Sequence, residues 1–202
     1  MLRLGMPTRY LLPALVALTA CSASPPAMAA ANDPPPVWID SRFSQEDRRA
    51  IAAALNVWHE AVEQDFGPMR LCNHGADCAK HAGSGAFVFQ NMREDEQAVI
   101  ELPPSVLGWV EDICDRQVHL IPTRIHAHSI DLEDVALHEV GHALCLQHQP
   151  VDSLMFPSIG SGEGQHCVDY TTLLQYLITH PDATVHLTCT TERKNAGLEL
   201  TL

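Results

Sequence analysis

"HEVGHALCLQH", His138 to His148, is the stretch from which the rest of the chain can be read. His138 and His142 are four residues apart, so on a helix they stand one turn apart on the same face and can grip one zinc ion through imidazole nitrogens at roughly 2.0–2.1 Å. Glu139 lies beside them, placed to take a proton from an attacking water and pass it to a leaving amine. If the helix continued, His148 would lie about 9 Å further along the axis than His142, out of reach of the same ion. The chain must therefore leave the helix near Cys145 and fold back. Glycine is the natural residue for that turn, because a left-handed conformation costs other residues roughly 1 kcal/mol or more. Two readings follow. In one, a crosslink holds the turn at Cys145, and His138, His142 and His148 leave an open fourth position on a catalytic zinc. In the other, the helix runs on and Cys145 itself becomes a zinc thiolate.

Outward from this stretch, "SLMFPS" follows at Ser153 to Ser158. Together the two segments resemble the metzincin clan of zinc peptidases and, within it, the matrixins, whose pattern is His-Glu-x-Gly-His-x-x-Gly-x-x-His followed by a Met-turn close to Leu-Met-Tyr-Pro. His138, Glu139, Gly141, His142, Leu144, Leu146, His148, Leu154, Met155 and Pro157 match residue by residue. The resemblance implies an α+β fold: a metzincin-like zincin catalytic domain with a twisted mixed β-sheet, two main helices above the cleft and a small C-terminal helical subdomain. It implies a zinc endopeptidase acting on proteins or peptides, with Glu139 as general base and acid and Met155 as the floor under the metal. Phe156, Pro157, Ser158 and Ile159 would line the pocket for the side chain after the cut. Phe156 replaces the usual tyrosine and cannot hydrogen-bond, and the interval from His148 to Met155 is one residue shorter than in many matrixins. A structural calcium or a second zinc is left open. A zinc-binding or adhesion protein without turnover is the alternative, although it keeps Glu139.

The elements before the motif read as a sequence of strands and helices. "VWIDSRF" alternates as a first strand from Val37, and "SQEDRRAIAAALNVWHEAVEQ" is an amphipathic helix capped by Ser44, with Ile51, Leu55, Trp58 and Val62 on one face. Residues 67–85 read as a loop, in which His74 and His81 are weaker candidates for a second metal. "AFVFQ" and "AVIEL" read as strands, one of which would offer its edge to an extended substrate. "PPSVLGWVEDI" reads as a turn with a short helix and "QVHLIPTRI" as a strand. His119 then falls within a strand, and His126 and His128 in a solvated loop. A helix from Leu132 carries the motif. "DYTTLLQYLI" is a last helix, and the tail after Pro181 should add one strand.

Seven cysteines and the charge set the compartment. Met1 to Tyr10 carries Arg3 and Arg9 ahead of a short apolar run, which reads as an export signal over residues 1–20. "LTAC", Leu18 to Cys21, resembles a lipobox that would lipidate Cys21 and place the protein on a bacterial outer membrane. "AMA", Ala27 to Ala29, is the competing cleavage site and would release a secreted protein. Residues 21–36 form a Pro- and Ala-rich tether to a domain spanning 37–202. The six cysteines left by either route suggest three disulfides. The strand after Cys114 and the helix before Cys145 have similar lengths and should run antiparallel, so these two cysteines should meet. Cys72 with Cys78 and Cys167 with Cys189 complete the set. The formal net charge is −13, and two of the twelve basic residues lie in the export signal, leaving ten against 25 acidic ones. That balance argues against nucleic acid as a partner. The protein is expected to act as a monomer, held to a membrane by its lipid.

Overall fold

A computed structural model describes residues 33–82, 84–150, 153–157 and 166–189. Five strands form one mixed sheet in the order β2-β1-β3-β5-β4. β1 (Val37–Asp40), β2 (Met69–Cys72), β3 (Phe87–Asn91) and β5 (Gln117–Leu120) are parallel, and β4 (Gly108–Val110) runs antiparallel to β5 at the end of the sheet. The two-residue alternation of the strands sorts side chains between the faces. Val37, Ile39, Phe87, Phe89, Val118 and Leu120 enter the main core, whereas Val88 and Trp38 face a smaller cluster around Cys72 and Cys78 on the other side.

Two long helices cover the main face. α1 (Gln45–Val62) begins with a capping box: Ser44 Oγ accepts from the Asp47 N–H, and the Asp47 carboxylate accepts from the Ser44 N–H, both at 3.0 Å. Its buried stripe of Ile51, Ala54, Leu55, Trp58, Ala61 and Val62 packs on α5 (Leu132–Ala143), where the Trp58 indole N–H donates to the Leu137 carbonyl at 2.8 Å. The last helix, α6 (Tyr170–Thr179), adds Leu173 and Tyr176 to the same core and forms the small C-terminal part. Disulfides join Cys72 to Cys78, Cys114 to Cys145 and Cys167 to Cys189.

Several segments differ from their sequence reading. The expected loop at 67–85 contains the edge strand β2 and a short helix, α2 (Ala76–Ala82). "AVIEL" is no strand. Gln97–Ile100 forms one helical turn, α3, in which the Glu96 carbonyl accepts from the Val99 and Ile100 N–H groups. Alternation over so short an apolar run cannot separate strand from helix. The expected short helix around Trp109 is instead strand β4. "QVHLIPTRI" divides at Pro122, which has no N–H to donate to a ladder and is pre-set for the first helical position, so β5 stops and α4 (Pro122–Ala127) starts. His126 thus sits on a helix, 3.0 Å from Asp47, with His128 as that helix's C-cap. Among the described residues after Pro181 no strand forms. The fold also takes up the chain earlier than Val37: the Pro35 and Pro36 carbonyls accept from the Gly67 and Phe87 N–H groups at 2.8 and 3.0 Å.

Candidate metal centre

α5 is buried on nearly every side, with all residues from Asp134 to Ala143 enclosed. Asp131 caps it by accepting from the Glu133 N–H at 2.9 Å. This geometry sinks His138, Glu139 and His142 into the molecule at 5%, 6% and 6% exposure. Buried imidazoles need partners, and both find them in backbone carbonyls. His138 Nδ1 lies 2.7 Å from the Leu154 oxygen and His142 Nδ1 lies 2.8 Å from the Leu146 oxygen. A carbonyl can only accept, so each Nδ1 carries the proton and each Nε2 keeps a free lone pair. Burial pushes His138 down to about 4 and also lowers His142, so both rings are neutral at neutral pH, the state a metal ligand requires.

The end of α5 explains how His148 joins them. Leu144 is the C-cap, and Cys145 follows in the left-handed region at φ 73°. The Cys145 N–H donates to the His142 carbonyl at 2.9 Å and the Leu146 N–H to the Gly141 carbonyl at 3.0 Å. These two bonds make a Schellman motif, which reverses the chain. His148 Nε2 consequently stands 3.3 Å from His138 Nε2 and 3.2 Å from His142 Nε2. Tetrahedral zinc with nitrogen ligands at roughly 2.0–2.1 Å needs neighbouring nitrogens about 3.3–3.4 Å apart; both separations from His148 match this, and the three donor atoms all lie within 4.8 Å of one another. Among the described residues no other three His, Cys, Asp or Glu donors converge in this way. Cys145 is bonded to Cys114, so the thiolate reading fails.

Met155 lies fully buried against α5 at Gly141. A Cβ at Gly141 would come within 2.5 Å of its sulfur and 3.2 Å of the Trp58 ring. Glycine inside a helix costs about 1 kcal/mol relative to alanine; here it admits Met155 against the helix backbone. Above the histidines a cleft of about 470 Å³ opens between α5 and β4, lined by Trp109, Val110, Ile113, Glu139 and His148 among others. Glu139 Oε2 is buried without a hydrogen-bond partner among the described residues, and burial pushes the carboxyl up to about 8. Among the described residues β4 pairs only with β5, and its other edge has no partner there. Gly108 brings this strand close, since a Cβ there would stand 3.2 Å from Glu139 Cγ. Neither stretch expected to offer an edge does so: β3 is paired on both sides and "AVIEL" is helical, and the end strands of the sheet are β2 and β4.

Phe156 is half-buried and Pro157 exposed just after Met155, while Ser158, Ile159 and Cys21 lie outside the described residues. His74 and His81 do not come together on a metal: His74 bonds Asp40 at 2.6 Å and His81 stacks on Trp38. His119 is buried in β5 and stacks on Trp109 at 4.6 Å. One contributor was missed in the sequence. Asp169 caps α6 through Thr172 and also accepts from the Leu154 N–H at 2.7 Å, which anchors the residue whose carbonyl orients His138. An aspartate ahead of a helix signals the cap; nothing local signals the second bond. Residues 40–171 match the Matrixin family, Peptidase M10. No curated protein matches the chain.

Proposed function

The chain belongs to the matrixin family of zinc-dependent metallopeptidases, and from that premise we propose that it is an endopeptidase whose zinc is held by His138, His142 and His148. When bound, zinc supplies Lewis acidity to the scissile carbonyl and to the attacking water. The chain's own residues do the rest. An extended peptide adds to the free edge of β4 and lies across the cleft. Glu139 takes a proton from the water and returns it to the leaving amine. Phe156, Pro157, Ser158 and Ile159 bound the side-chain pocket after the cut. Met155 supports the histidines from below and contributes no ligand.

The observation that carries this reading is the convergence of three Nε2 atoms, those of His138 and His142 freed by their Nδ1 hydrogen bonds, beside the buried Glu139 Oε2 that has no partner among the described residues. Three disulfides in one domain are consistent with an oxidising compartment. They support export, with lipidation at Cys21 in the outer-membrane reading and release after Ala29 in the other. Metal analysis of the exported protein tests the site. One zinc per chain is expected, kept in Glu139→Ala and lost in His142→Ala, with internal peptide cleavage abolished by chelation and restored by zinc. Full zinc occupancy in His142→Ala would remove the assignment.

A further inference from the structure

Four non-glycine residues in the described chain have left-handed backbones, and two of them, Cys114 at φ 77° and Cys145 at φ 73°, are the two halves of one disulfide. Both donate their N–H to the same acceptor, the His142 carbonyl, at 2.9 Å each. The turn from β4 to β5 is thus docked on the C-terminus of α5 and bonded there covalently. Each half also sits next to the cleft. Ile113, which precedes Cys114, and Gln147 and His148, which follow Cys145 closely, all line the cleft.

We infer that the Cys114–Cys145 bridge is a positioning device for the metal centre: it holds Cys145 in the left-handed turn that delivers His148 and clamps the β4–β5 turn against the same helix end. The two roles are separable. Glycine adopts the turn without penalty, so a glycine at 145 replaces the bridge in shaping the His148 turn. It does not replace the tie to the cleft wall. Alanine at 145 without the bridge replaces neither, because its Cβ disfavours the left-handed conformation.

The test compares full-length exported variants Cys114→Ser/Cys145→Gly and Cys114→Ser/Cys145→Ala, which differ only by the Cβ at 145. Zinc affinity is measured by chelator competition and the 108–116 backbone by amide hydrogen exchange. The alanine pair is expected to bind zinc about tenfold more weakly than wild type, and the glycine pair within threefold of wild type. Both should exchange faster at 108–116 and raise KM for a cleaved peptide, with kcat largely kept in the glycine pair. Cys72→Ser/Cys78→Ser, remote from the site, should lower Tm and leave zinc affinity and KM unchanged. Wild-type zinc affinity in the alanine pair, or no advantage of glycine over alanine, would overturn the inference about the turn. Unchanged exchange at 108–116 would overturn the clamp. The KM arm rests on the proposed peptidase function; if wild type binds zinc but cleaves nothing, that function falls, while zinc affinity and exchange still decide the role of the bridge.

Discussion

The Leu154 carbonyl receives the Nδ1 proton of His138 at 2.7 Å, so a backbone group 16 residues away sets which nitrogen of that ring is free. The N–H of the same residue donates to Asp169, at 2.7 Å. His138, Leu154 and the cap of the last helix are therefore linked through two hydrogen bonds, one at each polar group of Leu154.

Asp169→Ala breaks this chain at its far end. It removes a helix cap, at about 1 kcal/mol, and a charge-assisted bond to Leu154, at about 1.5–3 kcal/mol. Thermal unfolding should show a loss on the order of 2–4 kcal/mol, and chelator competition a zinc affinity reduced about tenfold, the low end for residues that orient ligands. Unchanged zinc affinity would show that the Leu154 peptide is positioned without Asp169.

Gly141→Ala sets helix propensity against packing. Alanine is favoured by about 1 kcal/mol in a helix interior, but its Cβ would meet the buried Met155 sulfur at 2.5 Å and Trp58 at 3.2 Å. Overpacking typically costs about 1–3 kcal/mol, so the variant should melt lower than wild type. Adding Met155→Ala should offset part of that loss, and a double-mutant cycle reads the coupling.

Gly108→Ala tests the approach of β4 to Glu139, the proposed proton-transfer group. The added Cβ would stand 3.0 Å from the His119 carbonyl and 3.2 Å from Glu139 Cγ. Peptidase kcat/KM should fall at least about tenfold through misplacement at the reacting centre, with zinc content unchanged.

Asp134 gives stability a pH dependence apart from the metal. Burial raises its carboxyl from 3.8 to about 6, with His166 3.4 Å away and Asp131 and Glu133 as its other charged neighbours. The folded state holds this proton more tightly than the unfolded chain, so the contribution is complete below about pH 4 and is lost as pH rises through 6. Asp134→Asn, which cannot ionise, should gain stability relative to wild type as pH rises from about 4.5 to 7.5. Equal Tm differences at both pH values would contradict the assignment.

The motif was legible because four-residue spacing on a helix is fixed by geometry, and because His148 can rejoin its partners only through a reversal at Cys145. The long helices were legible from their periodicity, as in the stripe from Ile51 to Val62 of α1. Shorter elements were not. "AVIEL" offers too few apolar residues to distinguish a strand from one helical turn. β4 is three residues long and begins with a glycine, so its identity comes from pairing with β5, a contact outside its own sequence. The carbonyls that orient His138 and His142 carry no residue identity at all. Asp169 was half legible: its cap is local, whereas its bond to Leu154 arises only once α6 packs beside the Met-turn.

The most direct measurement compares full-length wild type with Glu139→Gln, both loaded to equal zinc, on a quenched peptide library with products mapped by mass spectrometry. The account predicts cuts at internal peptide bonds by wild type, slowed by about 10²–10⁴ in the variant. Equal cleavage by both, or none by zinc-loaded wild type, would contradict it.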